Sequence, residues 1–370
     1  MKKALLVTRV SGFVPQFEMN NVRLLQEKGY EVHYAANFDT VVYGSDNSRL
    51  EGTGIVCHHI PFCRSPFSRQ VTQSYRALKE LMQQESFDLI HCHMPMTGVV
   101  TRMAAQSLRK STGKPVPVLY TAHGFHFCKG APLQNWIYYI PERFLSRYTD
   151  VLITMNDEDY ERAQTFPIRG QAKKISGAGI DLTGRPCRDF SNTTNTPFQL
   201  ISVGELNANK NHVAVLKALT KFDEKEIHYT IYGEGYVREE LEEFIRKYGL
   251  TSMVTLAGYC DNIPEALASS DAFLLPSRRE GLPFALMEAM AAGLPVITQP
   301  IRGCTDLVHP DKGGFLVTEE HFGSAIRSLM NSSEQCAKMG AWNKAAIQAF
   351  SIEHVQEQMN AIYTEVCREE

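Results

Sequence analysis

The chain has 370 residues, 44% of them apolar and 21% charged, which is enough to bury the cores of two domains. No apolar run approaches the ~18 residues of a membrane-spanning helix, and the opening MKKALLVTRV is too short for a signal peptide, so a cytoplasmic protein is expected. The nine cysteines keep neither metal nor redox spacing and predict reduced thiols, while the net charge of −3 splits into +5 over residues 1–182 and −8 over 183–370, which suggests an anionic partner for the first half.

Short apolar runs alternate with helical periodicity from the start. KALLVTRV reads as a strand, and VPQFEMNNVRLLQEKG as a helix with Phe17, Val22 and Leu25 on one face and Gly29 closing it. YEVHYAAN is a second strand; YRALKELMQQ, a helix, leads to the strand FDLIHCH. GVVTRMAAQSLRKSTG and PVLYTAH repeat the unit, and DVLITM adds a strand before a helix that begins at DEDYERAQTF, capped by Asn156 or Asp157. The pattern lapses over TGRPCRDFSNTTNTP (183–197), a polar, Pro-containing linker. It restarts with strands at FQLISVG, IHYTIYG, MVTLAGY, AFLLPS and PVIT. Helices are expected at NHVAVLKAL, VREELEEFIRKYG, IPEALASS, PFALMEAMAA and HFGSAIRSLMN. The final segment places Ile352, Val355, Met359, Ile362 and Val366 on one face, an amphipathic helix that needs a surface to lie on. Strands alternating with helices predict parallel sheets covered on both faces, hence two doubly wound α/β domains, 1–182 and 198–350, with ligands beyond the carboxyl ends of the strands. The cleft between two such domains is the default site.

The residues that carry chemistry cluster at those strand ends. REGLPFALMEAMAAGLPVI contains a helix that is apolar on every side yet carries Glu288, with Glu280 just before it. A lone carboxylate is costly there unless something pairs with it. Backbone N–H groups near Leu282, Phe284 and Ala285 lie where a helix begins and lack helical partners, so with the helix dipole behind them they form an anion site suited to phosphate. Glu288 lies five residues past Pro283, or ~7.5 Å along the axis. The two glutamates would then hydrogen-bond hydroxyls on either side of a diphosphate. In SVGELNANKNH, Gly204 permits close backbone approach and Lys210 can place a cation on a departing diphosphate. His123 ends a strand in YTAHGFHF; Gly12 occupies the first strand-to-helix turn in TRVSGF.

Together these pieces resemble the retaining glycosyltransferases of family 4, which adopt the GT-B fold: two Rossmann-like, doubly wound domains facing across a cleft. The match is sharpest at Glu280, seven residues, Glu288, within EGLPFALMEAMAAGLPVI. TAHGFHFCKGAPLQNW, SRYTDVLITMNDEDYERA, GAGIDL and GELNANKNH resemble the subgroup that assembles bacterial capsule and exopolysaccharide, over residues 1 to about 368. The resemblance implies that Glu280 binds donor-sugar hydroxyls, Glu288 the ribose hydroxyls and Lys210 the diphosphate. It implies that His123 contacts the donor sugar near its sixth carbon, that Gly12 lies against the diphosphate, and that Gly281 and Leu282 give N–H groups to the phosphates. Gly233 in YGEG and the backbone around Tyr259 in LAGYCDNIP would line the base pocket. The last helix, 351–368, would cross back onto the first domain. The implied reaction moves a sugar, with retained configuration and no metal or other cofactor, from a nucleotide donor of the UDP-hexose or UDP-N-acetylhexosamine type. The acceptor would be a hydroxyl of a polyprenyl-diphosphate-linked saccharide, and no nucleic acid takes part.

Glu205 departs from the family, which often has Arg beside that glycine; it is expected to contact the acceptor or orient Lys210. His93 is a further acceptor candidate. Asp157-Glu158-Asp159 looks like an Asp-x-Asp metal motif but reads as a helix start, and CHHIPFC and HCH lack tetrahedral ligand spacing. PFCRSPFSRQVTQSYRALKELM mixes Phe62, Phe67 and Tyr75 with Arg64, Arg69, Arg76 and Lys79, a surface that could rest on anionic lipid at the inner face of the cell membrane. Three other readings stay open. One is an NAD(P)-dependent oxidoreductase, although RVSGF lacks Gly-x-Gly-x-x-Gly and GEGYVR has Arg238 in place of the third glycine. The second is a UDP-sugar epimerase or phosphorylase on the same fold, and the third a non-catalytic nucleotide-sugar sensor.

Overall fold

A computed structural model describes residues 1–44, 46–190 and 195–367. The chain forms two compact units: Met1–Gly179 together with Ile352–Glu370, and Ile180–Ser351. The stretch expected to be a linker, 183–197, includes 191–194, which lie outside the described residues. Its Arg185 and Arg188 pair with Glu288 and Asp271 of the second unit.

In the first unit seven strands, β1 (Lys2–Val10), β2 (Tyr30–Asn37), β3 (Val56–His59), β4 (Leu89–His93), β5 (Val118–Thr121), β6 (Val151–Thr154) and β7 (Gln171–Lys174), run in the order β3-β2-β1-β4-β5-β6-β7, every pair parallel. β1 and β4–β6 are near-continuous apolar runs because helices cover both faces. Leu5, Val7, Ile90, Tyr120 and Leu152 lie in the core beneath helices Gln70–Glu85 and Pro95–Thr112. Phe62, expected on a lipid-facing surface, is instead buried in this core, while Phe67 is exposed.

Helix Ile352–Cys367 lays Val355, Met359, Ile362 and Val366 onto this unit, packed against helix Met19–Glu27. Burying such side chains contributes about 2 kcal/mol each. Tyr363 is buried as well, its hydroxyl 2.9 Å from His91 Nδ1.

In the second unit six strands, β8 (Phe198–Val203), β9 (Ile227–Tyr232), β10 (Val254–Gly258), β11 (Ala272–Leu275), β12 (Val296–Thr298) and β13 (Gly314–Leu316), follow the order β10-β9-β8-β11-β12-β13, again parallel. In each sheet the chain winds outward from its first strand in one direction and then reverses. The reversal leaves a crevice at the carboxyl ends of β1 and β4 in one unit and of β8 and β11 in the other, where open α/β sheets bind ligands.

Three strands lie outside the ten read from the sequence. β3 and β7 sit at the sheet edges with exposed or half-buried side chains, so their apolar signal is weak, and β13 has three residues. Helices Tyr139–Leu145 and Ser333–Ala346 were also not read, the latter because its apolar residues follow no single stripe.

Candidate functional site

In the second unit, the carboxyl ends of β8 and β11 bring Lys210 and Glu280 together. Lys210 occupies the turn before helix His212–Leu219, and Glu280 the loop before helix Phe284–Ala291. Lys210 Nζ lies 2.7 Å from Glu280 Oε1, with the side chains 18% and 13% exposed, so the pair is largely buried. Both loops are braced. Asn207 Oδ1 accepts from the backbone N–H groups of Asn209 and Lys210, and Asn209 Nδ2 donates to Arg279 O at 2.8 Å. Arg302 Nε donates to Glu280 O at 2.9 Å. Gly303 is required at its place: its φ is +78°, and a Cβ there would stand 2.2 Å from Gly281 O.

Helix Phe284–Ala291 starts from Pro283, whose ring offers no side-chain cap, and ends before Gly293 at φ +75°. Its N-terminus therefore presents the positive end of the helix dipole beside Gly281 and Leu282. Glu288 is mostly buried and has a partner within the chain: Arg185 Nη1 lies 3.4 Å from its Oε1. Burial raises the Glu288 pKa, and Arg185 opposes that rise.

Gly204 follows β8 and Gly233 follows β9. Gly233 has φ +141°, and a Cβ on it would meet Gly204 O at 1.9 Å, so these strand ends are stacked backbone to backbone. Gly233 N donates to Gly258 O at 2.8 Å. Next along the chain, Tyr259 is 80% exposed. Glu205 is exposed, and its Oε2 accepts from Asn207 Nδ2 at 3.0 Å. It thus reaches Lys210 through Asn207 and the backbone, while the Lys210 ammonium faces Glu280.

In the first unit, the carboxyl ends of β1, β4 and β5 carry Gly12, His93 and His123. A Cβ on Gly12 would stand 1.8 Å from Val42 O, so the neighbouring loop already occupies the space a side chain would need. His93 and Thr121 are register partners, which sets His93 beside the loop that bears His123. His93 Nδ1 lies 3.2 Å from His123 Nε2 and 3.5 Å from Glu18 Oε1. The Phe13 ring lies 5.1 Å from that of His123. Burial keeps these imidazoles neutral: it pushes His123 down to about 4 and His93 well below the ordinary range. Burial raises Glu18 to about 7 against the opposing hydrogen bond from Asn21.

Ligand-type atoms of Glu18, His93 and His123 all fall within 4.8 Å of one another, a grouping absent from the sequence reading, which assigned no metal ligands. Sequence reasoning missed Glu18, Phe13 and Arg185. Glu18 carried one usable signal, a carboxylate four residues after Val14 on the buried stripe of its helix. Of Asp157-Glu158-Asp159, Asp159 is buried and accepts from Phe125 N at 3.1 Å and Asn156 Nδ2 at 2.9 Å, which fixes the loop after His123. Among the described residues no helix is long and apolar enough to cross a membrane.

Family models match two stretches: residues 18–172 fit a "Glycosyl transferase 4-like domain" and residues 187–346 fit "Glycosyl transferases group 1". EpsD of Bacillus subtilis (strain 168), which carries a glycosyltransferase name, is 34% identical over 98% of this chain and 96% of its own length. An Escherichia coli protein named UDP-Gal:alpha-D-GlcNAc-diphosphoundecaprenol alpha-1,3-galactosyltransferase is 28% identical over 74% of this chain and 73% of its own. A crystal structure of Anabaena Alr3699/HepE in complex with UDP superposes with a TM-score of 0.75 at 20% identity, covering 99% of this chain and 100% of that one.

Proposed function

The chain belongs to the family-4 glycosyltransferases of GT-B fold, in bacterial polysaccharide synthesis, and from that premise we propose that it transfers a hexose or N-acetylhexosamine from a UDP-sugar, with retention, to a hydroxyl of a polyprenyl-diphosphate-linked saccharide. The observation that carries this reading is the Lys210–Glu280 pair beside the N-terminus of helix Phe284–Ala291. The nucleotide's diphosphate takes the place beside Lys210, where it meets the ammonium, the helix dipole and the backbone of Gly281 and Leu282. The leaving group gains negative charge as the glycosidic bond breaks, so a fixed cation stabilises the transition state more than the ground state.

Glu280, held 2.7 Å from that cation, accepts hydrogen bonds from sugar hydroxyls. Glu288 with Arg185 does the same for the ribose, and Gly204, Gly233 and Tyr259 border the base. On the first unit, Gly12 and His123 serve the diphosphate and the donor sugar. His93 Nδ1, 3.2 Å from His123 Nε2 and 3.5 Å from Glu18 Oε1, holds the His123 ring in place through that nitrogen. Chemistry then proceeds on the donor's front face, the departing diphosphate taking the acceptor's proton. Lys210 and the helix dipole supply the positive charge, so the reading requires no metal.

Support for a UDP donor and a lipid-linked acceptor comes from the names of the relatives and the UDP complex. The test is UDP release from a panel of UDP-sugars with polyprenyl-diphosphate-linked saccharides, with and without EDTA. Turnover that needs both substrates and survives EDTA is expected. Redox turnover with NAD(P)H, interconversion of the UDP-sugar without acceptor, or UDP binding with no transfer to any acceptor each contradicts it.

A further inference from the structure

We propose that residues 133–144 of the first unit form the surface by which this protein rests on an anionic phospholipid bilayer. The segment combines a 3-10 turn, Leu133–Tyr138, with helix Tyr139–Leu145. Its inner face is pinned: Leu145 is buried, Tyr139 packs on the core, and buried Glu142 is bonded to Arg102 Nη2 at 2.8 Å and to the Tyr120 hydroxyl at 3.0 Å. Its outer face is the reverse of what water favours. Leu133 is 88% exposed, Ile137 65%, Ile140 70% and Phe144 48%. Apolar side chains turned outward while a carboxylate is buried beneath them depart from the usual helix pattern, and a cluster of this kind marks an interaction site.

The charge around the cluster identifies the partner. Between Gly113 and Asp150 the chain carries Lys114, Lys129, Arg143 and Arg147 and a single carboxylate, Glu142, which faces inward. Lys114 pairs with Asp88, so the cations that border the apolar face are Arg143 and Arg147, and no exposed acid lies between Gly113 and Asp150. Arg147 lies over the Phe144 ring, 4.5 Å from its centroid, so cation and apolar anchor form one unit. Trp136 and Tyr138, each partly exposed, are the aromatic types that settle at the level of lipid headgroups. Exposed leucine and isoleucine, interfacial aromatics and arginines without counter-acids describe an amphipathic element lying in an anionic interface.

Position gives the surface a purpose, which rests on the lipid-linked acceptor proposed above. The segment follows β5 directly after the His123 loop and is tied back to it: Asn135 Nδ2 donates to His126 O at 3.0 Å, and the Tyr138 ring lies 4.8 Å from that of His126. The lipid of an acceptor would remain in the bilayer against this face while its saccharide reaches the carboxyl edge of the sheet.

The test pellets the full chain with sucrose-loaded vesicles of mixed phosphatidylglycerol and phosphatidylcholine, and of phosphatidylcholine alone. Binding to the anionic vesicles is expected, weakened by salt. The exposed set Leu133→Ser, Ile137→Ser, Ile140→Ser and Phe144→Ser should lower partitioning by about tenfold or more. Arg143→Glu with Arg147→Glu should abolish the preference for anionic lipid, whereas Arg64→Glu with Arg69→Glu should leave it unchanged. The thermal shift given by UDP should be the same in every variant. Equal pelleting of the wild type with both vesicle types, or of the wild type and the serine variant, overturns the assignment. So does a dimer in sedimentation velocity that the serine variant dissociates while vesicles bind neither protein. A chain that binds vesicles through this face but shows no UDP shift would leave the surface standing and remove the transferase reading instead.

Discussion

The Lys210 ammonium and the Glu280 carboxylate, seventy residues apart in sequence, meet at 2.7 Å across the ends of β8 and β11. Both side chains are largely buried, yet the pair is asymmetric in its duties. The cation is suited to the leaving diphosphate and the anion to hydroxyls. Lys210→Ala should lower kcat by about 10²–10³-fold, as loss of a group acting mainly in the transition state does. Glu280→Gln should nearly abolish transfer while UDP binds as before. Calorimetric titration of UDP beside a UDP-release assay separates the two; equal loss of binding and turnover in Glu280→Gln contradicts its role at the sugar.

Arg185 governs the ionisation of Glu288. Burial raises the pKa of this carboxyl and Arg185 opposes the rise. A protonated Glu288 accepts ribose hydroxyls poorly, so UDP affinity should fall as pH is lowered. In Arg185→Ala the opposing charge is gone, and the fall should begin at higher pH. Titrating UDP across pH in both proteins checks this. Curves that superimpose would show that Arg185 does not act through Glu288.

Glu18 and the buried histidines pull acid stability in opposite directions. The folded pKa of Glu18 is raised to about 7, so its contribution is fully present below the ordinary carboxylate value and is lost as pH rises through 7. Relative to Glu18→Gln, the wild type should gain stability on acidification from pH 7 towards 4.5, by an amount on the order of 3 kcal/mol. His123, held at about 4, and His91, at about 3, behave conversely: their contribution is present above the ordinary imidazole value and is lost as pH falls from there. Both proteins should therefore weaken in acid, Glu18→Gln sooner. Urea unfolding at stepped pH resolves the difference.

The Arg102–Glu142 pair is buried, and the Arg102 guanidinium also lies 4.1 Å from the centroid of the Tyr120 ring. Removing one charge strands the other. Glu142→Gln should cost about 3–5 kcal/mol, and Arg102→Met with Glu142→Leu together should cost less than either change alone. A double-mutant cycle in urea measures both.

Among the described residues, ten of thirteen strands were legible because a strand buried on both faces is a short apolar run between turns, as in LLVTRV or FLLP. The edge strands β3 and β7 lack that signature, since water covers part of them. At the candidate site, the places of Lys210 and Glu280 before helices and of His123 after a strand were legible in the sequence. Their partners were not. Glu280 finds Lys210, and Glu288 finds Arg185, through contacts made only once the sheet is wound, and no local spacing encodes them. Glu18 was hidden for a related reason: its place on the buried stripe after Val14 was its only signal, and nothing local shows that the tip of another strand will bury it. Helix Tyr139–Leu145 escaped because it is short and mixes buried Leu145 and Glu142 with outward Ile140 and Phe144, so periodicity pointed nowhere.

Helix Ile352–Cys367 completes the first unit although the whole of the second precedes it in the chain. A ribosome delivers the seven-stranded sheet early but supplies Tyr363, the partner of His91, only after the whole of the second unit. Until then the groove beside helix Met19–Glu27 has no cover, and the first unit closes only once the second has been made. The chain thus carries its own late checkpoint: a message truncated anywhere in the second unit yields a first unit that cannot seal.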